Sequence, residues 1–361
     1  MKNILVNCLH CSDAYSGANS RIFNLYKYLS LKKKYKVFFL IKKNFKPKLK
    51  HHKIKFIKIN FIGNNFFLRY LHTKKILKQL KKKYNFDFYD HSFLPFVNYG
   101  NEYTCSFYTI HDLRYFMKKL NKNFFIFFLF KYLLKKAFLQ ATKVITVSNY
   151  MRVEIQKKLK FKKVIVVPNF IDPEFISKKI IKQKVKSNFI FALGHFEKRK
   201  NIHFLLKVFS KLVKNKIYDG NLVLASSTFS ERVRIEKIIK YLNIEKRVKL
   251  KMNLSKIQII NLYDKSDCFI FPSIYEGFGI PILEALSRNC RILLSDIPPF
   301  REITFGQFLY FKPNNEEDFI KKFIKVIKLK KTNKIAKKIK KKYSLLSISD
   351  LFEKKVLNDR I

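Results

Sequence analysis

The sequence predicts an α/β protein built as two doubly wound domains in tandem. Three observations point there. Apolar runs of strand length alternate with stretches of helical periodicity, the alternation breaks once near residues 168–173, and it then resumes.

In the first series, Ile4, Leu5 and Val6 form a short buried strand candidate, followed by a polar loop through Ser12, Asp13, Ser16 and Gly17. Ile22, Leu25, Tyr26 and Leu29 recur at spacings of three and four, the signature of a helix with one apolar face. Residues 37–41 are the next apolar run, and 54–59 alternate apolar residues with Lys, as a strand with one wet face does. Residues 107–110, 144–147 and 164–167 are further strands with helical material between them. A Pro-bounded loop at 168–173 and a basic stretch at 178–186 then read as a connector.

The second series has strands at 189–193, 222–225, 248–250, 268–271 and 292–294. Helices are expected near 204–213, 233–242, 257–263 and 281–286. The expected domains are 1–173, a linker at 174–187, 188–343, and a last helix at 344–361. Ligands of such folds bind beyond the carboxyl ends of the parallel strands, so two facing domains would form a central cleft from those ends.

Composition narrows the class further. With 39 Phe and 19 Tyr in 361 residues, the chain has the apolar supply that disordered proteins lack. Five Cys make a disulfide scaffold unsuited to it, and a cytoplasmic protein with reduced thiols is expected. The most apolar window, residues 124–130, is far short of the roughly 20 apolar residues a spanning helix needs. The formal charge is +52, from 77 Lys or Arg against 25 Asp or Glu, which favours polyanionic partners. The lysines are spread along the chain, so much of this charge fits a solvated surface as well as it fits a partner.

Chemistry concentrates in residues 271–285. A strand ends at Phe271, Gly277 and Gly279 free the backbone, and Pro281 suits the first turn of a helix whose N–H groups can meet an anion. Glu276 in the loop and Glu284 in the helix can hold two hydroxyl-bearing parts of one ligand. The plainer alternative is that Glu276 caps the helix and Glu284 is solvated. A second loop, Gly194-His195-Phe196-Glu197-Lys198-Arg199-Lys200-Asn201, also runs from a strand to a helix and brings basic side chains to bear on a phosphate. In the first half, His111 and Asp112 follow a strand end, and Ser16-Gly17-Ala18-Asn19 precedes a helix. Neither GxGxxG nor a P-loop is present. Cys8 and Cys11 supply half a metal site without a second pair, and Asp264 and Asp267 read as a helix stop rather than a cation site.

Glu276 and Glu284, with the Gly-Phe-Gly-Ile-Pro-Ile-Leu between them, resemble the paired-glutamate motif of the retaining glycosyltransferases of group 1, or family 4, which have the GT-B fold of two Rossmann-like domains. The resemblance runs across most of the chain. Ser16-Gly17 is similar to a degraded glycine-rich first loop and His111-Asp112-Leu113 to the family's His-Asp motif. Val147-Ser148 and Val167-Pro168-Asn169-Phe170-Ile171-Asp172 match two further family segments. Leu193-Gly194 with Arg199-Lys200-Asn201 matches the phosphate loop of its mannosyltransferase-like members.

The resemblance implies a metal-independent hexosyltransferase without a cofactor, moving sugar from a GDP- or UDP-linked donor with retention. The acceptor would be a saccharide or lipid-linked glycan of lipopolysaccharide or polysaccharide assembly, bound by the N-terminal domain. His111, Lys200 and Glu276 would carry the reaction. Gly17, Gly194, His195, Arg199, Lys200, Glu276, Gly277, Phe278, Gly279, Ile280 and Glu284 would bind donor, with Glu284 on the nucleotide ribose. The last helix, 344–361, would cross back to the N-terminal domain. Departures from the family pattern are His195 where many members carry Arg, Asn289 and Arg291 in place of Gly and Pro, and the missing paired glycines of the first loop.

Residues 124–134, apolar all round, read first as a buried helix. The alternative is that their aromatics meet an anionic membrane surface at the inner face of the cytoplasmic membrane, with Lys131, Lys135 and Lys136 on the headgroups. A non-enzymatic polyanion or nucleic-acid binder on the same fold is the rival class, and no specific nucleic-acid motif accompanies the charge.

Overall fold

The computed structural model describes residues 1–11, 17–47, 49, 51–61, 66–94, 96–100, 104–116, 124–177, 188–226, 231–329 and 334–358. Ser16 of the first loop and residues 178–187 of the expected linker lie outside the described residues.

The chain divides into two compact units, Met1–Asn169 with Leu345–Ile361, and Phe170–Ser344. The division falls after Asn169, four residues before the boundary expected at 173. Asp172 is held inside unit 2, its carboxylate accepting from Lys256 Nζ at 2.7 Å. Pro173–Ser177, counted mostly as linker from the sequence, form a short helix with Phe175 buried.

Unit 1 carries strands β1 (Lys2–Asn7), β2 (Tyr35–Lys42), β3 (Ile54–Ile59), β4 (Phe88–His91), β5 (Cys105–Ile110), β6 (Lys143–Thr146) and β7 (Val164–Val166). Among the described residues they form one parallel sheet in the order β3-β2-β1-β4-β5-β6-β7. Strands covered on both faces by helices lose their alternation, and β1 and β2 are accordingly buried along most of their length. One face packs Leu5, Phe38, Leu40 and Tyr89 against Ile76, Leu77 and Leu80 of helix Phe66–Lys83. On helix Gly17–Leu31, Tyr26 meets Phe352 of the C-terminal helix Leu345–Phe352 at 6.0 Å between ring centroids. Phe352 also meets Phe107 of β5 at 5.9 Å. Lys32 pairs with Asp350 and Glu353, and Lys143 donates to the Val356 carbonyl at 2.9 Å, which fastens the tail to this unit.

Unit 2 carries β8 (Phe189–Leu193), β9 (Asn221–Ser226), β10 (Val248–Met252), β11 (Cys268–Phe271), β12 (Ile292–Ser295) and β13 (Leu309–Phe311). They pair in parallel as β10-β9-β8-β11-β12-β13. The amphipathic helix Ile202–Lys214 buries Phe204, Leu205, Val208, Phe209 and Leu212 against this sheet and against Phe319 and Phe323 of helix Glu316–Lys328. That last helix starts on an Asn315 cap and three acidic residues, which complement its dipole. Both units are thus doubly wound α/β folds, as expected from the sequence.

One expectation is overturned. Helix Phe124–Gln140 is not buried all round, because Phe125 (74% exposed), Phe128, Tyr132 and Leu139 (85%) face solvent along one side. Its neighbour, helix Phe66–Lys83, exposes Phe67, Leu68 and Leu71, and Lys136 of the first lies over the Tyr70 ring of the second at 5.4 Å. The unit-1 core is already filled by Leu134, Ala137 and Phe138 from this helix, which leaves its remaining aromatics outside. Among the described residues no helix is long and apolar enough to cross a membrane.

Candidate active site

The site in unit 2 is assembled from two loops that each leave the carboxyl end of a strand. After β8 the chain turns at Gly194, whose N–H donates to the Ala225 carbonyl at 3.0 Å. A 3-10 turn, Lys198–Lys200, then leads to helix Ile202–Lys214. Gly194 is required by close approach: a Cβ there would stand 3.2 Å from Lys200 Cε and 3.3 Å from its Cδ. After β11 the chain passes Ser273 and Glu276 and reaches helix Ile280–Ser287, capped by Gly279. Gly279 has φ +132°, and a Cβ would meet Phe300 at 3.0 Å and Ile282 at 3.1 Å. The helix start carries Pro281 and no side-chain cap, so its positive end is presented by backbone alone.

The neighbouring strands β8 and β11 bring these loops into contact. The Ile274 N–H donates to the Arg199 carbonyl at 2.8 Å. Lys200 Nζ donates to Glu276 Oε1 at 2.5 Å, and Arg199 Nη1 donates to Glu276 Oε2 at 2.7 Å. Ser273 Oγ adds a further bond to the carboxylate, donating to Oε1 at 3.0 Å. Arg199 Nε reaches Glu197 at 2.6 Å, and Lys200 Nζ stands 4.8 Å from the Phe271 ring centroid. Glu276 is 7% exposed, and Arg199 and Lys200 are buried too. Burial pushes the Lys200 ammonium below its ordinary pKa, while Glu276 opposes the fall. Glu276 therefore balances two cations.

Glu284 is buried rather than solvated, and its Oε2 accepts from Tyr263 Oη at 3.0 Å. Gly277 and Phe278 are buried, Phe278 lying 5.8 Å from the Tyr343 ring, whereas Ile280 and His195 are half-buried. Asn289 takes the left-handed conformation at φ 55°, which Asn tolerates better than most residues other than Gly. Arg291 donates to the Leu329 and Asp267 carbonyls. Asp264 is neither a helix stop alone nor a cation ligand: it forms a fully buried two-bond pair with Arg288, at 2.7 and 2.6 Å. Among the described residues no group of three or more His, Cys, Asp or Glu is arranged to hold a metal ion.

Unit 1 holds the other two expected site residues. Gly17 opens helix Gly17–Leu31, and His111 follows β5. Desolvation, followed by the charge of Arg21, drives the His111 pKa down to about 3, so the ring is neutral at pH 7. Asp112 turns to Arg114 through two bonds of 2.9 and 2.8 Å. The pairing of Glu276 with Arg199 and Lys200 had no sequence signal beyond the two motifs themselves, because its members lie about 76 positions apart.

Comparison with known proteins fits this geometry. Residues 173–343 match the family model "Glycosyl transferases group 1", and residues 15–175 match "Glycosyltransferase Family 4". The O-antigen chain mannosyltransferase RfbU of Salmonella typhimurium is 30% identical over 214 residues, 58% of this chain and 58% of that protein. The serotype-specific mannosyltransferase WbdA of Escherichia coli is 30% identical over 139 residues, 38% of this chain and 17% of that protein. The chain thus spans little more than half of the first of these relatives and a small part of the second. Sucrose-phosphate synthase from Thermosynechococcus elongatus superposes with a TM-score of 0.81 over 98% of both chains at 14% identity, a likeness of fold.

Proposed function

The chain belongs to the glycosyltransferases of group 1 and family 4, which share the GT-B fold, and on that premise we propose that it transfers a hexosyl group, mannose first among candidates, from a GDP- or UDP-linked donor to a saccharide or lipid-linked glycan acceptor. The observation that carries this reading is the contact of Lys200 and Arg199 with Glu276 beside the open start of helix Ile280–Ser287.

Breaking the donor's glycosidic bond builds negative charge on the leaving diphosphate and positive charge on the sugar ring. Lys200, Arg199 and the helix start supply fixed positive charge for the first, and they act most strongly when that charge has developed. They can fill the role of a divalent metal, so the reaction runs in the presence of a chelator. An incoming diphosphate competes with Glu276 for the two cations. The released carboxylate then faces the sugar, while Glu284, backed by Tyr263, accepts from the ribose hydroxyls. Neutral His111 can accept a hydrogen bond from a sugar hydroxyl. With no covalent intermediate required, the acceptor hydroxyl attacks the face the diphosphate leaves and passes its proton to that departing phosphate oxygen, so configuration is retained.

The O-antigen chain mannosyltransferase RfbU among the relatives supports an acceptor of lipopolysaccharide or polysaccharide assembly. The exposed aromatic side of helix Phe124–Gln140, with Phe67, Leu68 and Leu71 of its neighbour and the surrounding lysines, supports peripheral attachment to an anionic membrane. The decisive experiment is a calorimetric screen of GDP-mannose, UDP-glucose, UDP-galactose and UDP-N-acetylhexosamines, followed by hydrolysis of the tightest binder with and without EDTA. Binding of none of them overturns the reading.

A further inference from the structure

Arg21 sits in the second turn of helix Gly17–Leu31, is 3% exposed, and leaves Nε and Nη2 without a hydrogen-bond partner. These two N–H groups form one edge of the guanidinium, the edge that takes an oxyanion side-on. Three other arginines of the chain turn that same edge to a carboxylate. Arg114 meets Asp112 at 2.9 and 2.8 Å, Arg288 meets Asp264 at 2.7 and 2.6 Å, and Arg301 meets Asp296 at 2.5 and 2.7 Å. In Arg21 the edge is buried and unpartnered.

A buried cation with unmade hydrogen bonds is costly and calls for an anion. The carboxylate acting on Arg21 at a distance, Asp90, is already committed: Oδ2 accepts from Tyr26 at 2.6 Å and Oδ1 from Ser92 at 3.1 Å. The other groups coupled to it are Tyr26, whose hydroxyl is spent on Asp90, and His111, a neutral ring. The place is also the expected one for a ligand. Asp90 lies at the carboxyl end of β4 and His111 just beyond that of β5, and the first turn of Arg21's own helix carries no acidic residue.

We propose that Arg21 is an anion-binding residue of unit 1 that takes two oxygens of a substrate phosphoryl group through Nε and Nη2. The phosphoryl group is carried either by a nucleoside diphosphate or by a phosphate-bearing acceptor. The site rests on the transferase reading only for that carrier; the binding itself does not.

The test uses calorimetry on the full chain with GDP, UDP and inorganic phosphate, for the wild type, Arg21→Met and Arg21→Lys. Arg21→Met is expected to fold with an undiminished thermal midpoint, because it removes an unpartnered buried charge, and to lose at least about tenfold in affinity for one probe. Loss for GDP or UDP identifies the nucleotide as carrier. Unchanged nucleotide affinity with loss of phosphate binding at saturating nucleotide identifies the acceptor. Arg21→Lys keeps the charge without the two-donor edge, so it too should lose most of the affinity, and it serves if the Met variant does not fold. Unchanged affinity for all three probes in a folded variant overturns the proposal. A protein that binds phosphate through Arg21 but no nucleotide sugar would sink the transferase reading and leave this site standing.

Discussion

Lys200 Nζ and Glu276 Oε1 lie 2.5 Å apart, joining the loop after β8 to the loop after β11. Each residue keeps the other in place while no diphosphate is bound, so substitutions at the two positions should not add. Lys200→Ala and Glu276→Gln are each expected to lower turnover by about 10²–10³-fold, with a double-mutant coupling of about 0.5–3 kcal/mol. Steady-state rates of the three variants with the best donor measure this; wild-type rates in either single variant would refute the assignment.

Gly194→Ala tests the same site without touching a charge. The new methyl would stand 3.2 Å from Lys200 Cε, so the lysine that bonds Glu276 must shift by a few tenths of an ångström. Turnover should fall at least about tenfold; because Gly194 has φ +155° the thermal midpoint should fall too, and donor-binding calorimetry on the folded variant should show the loss directly.

The Asp264–Arg288 pair should be costly to break from one side. Asp264→Ala leaves a buried guanidinium that also donates to the Phe175 carbonyl at 3.0 Å, and it should destabilise the protein by about 3–5 kcal/mol. Asp264→Leu combined with Arg288→Met should recover most of that in urea melts. Equal destabilisation by the single and double changes would contradict the account.

His91 and His111 both have folded pKa values lowered to about 3, chiefly by desolvation, against an ordinary value of 6.5. The unfolded chain therefore binds more protons between those values, and stability falls as pH drops from about 6.5 toward 3. The slope approaches about 1.4 kcal/mol per pH unit for the fully buried His91. Denaturant melts from pH 7 to 4.5 should show this decline, and His91→Phe should flatten it.

Vesicle sedimentation tests the exposed helix face. Binding to anionic vesicles should weaken with salt and drop in a Phe125→Ser, Tyr132→Ser double variant, while neutral vesicles bind little. Equal absence of binding to both vesicle types would exclude attachment.

Much of the doubly wound pattern was legible because β1, β2, β8 and β11 each contain an uninterrupted apolar run. Strand β4 was not, since its Asp90 and His91 look like loop residues; Tyr26, Ser92 and Tyr89 supply the hydrogen bonds that let them be buried in a central strand. Strand β13 is only three residues long, too short for any period to show. The glutamates and the basic loop were readable as motifs, whereas their mutual neutralisation depends on strand order, which no local spacing encodes. The aromatics of helix Phe124–Gln140 misled for a related reason: hydrophobicity alone does not say how much core there is to receive it.

Phe352 closes over Tyr26 and Phe107, so unit 1 is completed only by a segment synthesised after residues 170–344. During translation the chain's opening half must wait, its seam uncovered, while residues 170–344 emerge and are free to fold ahead of it. Chaperones that hold nascent chains would find their natural target along that waiting seam.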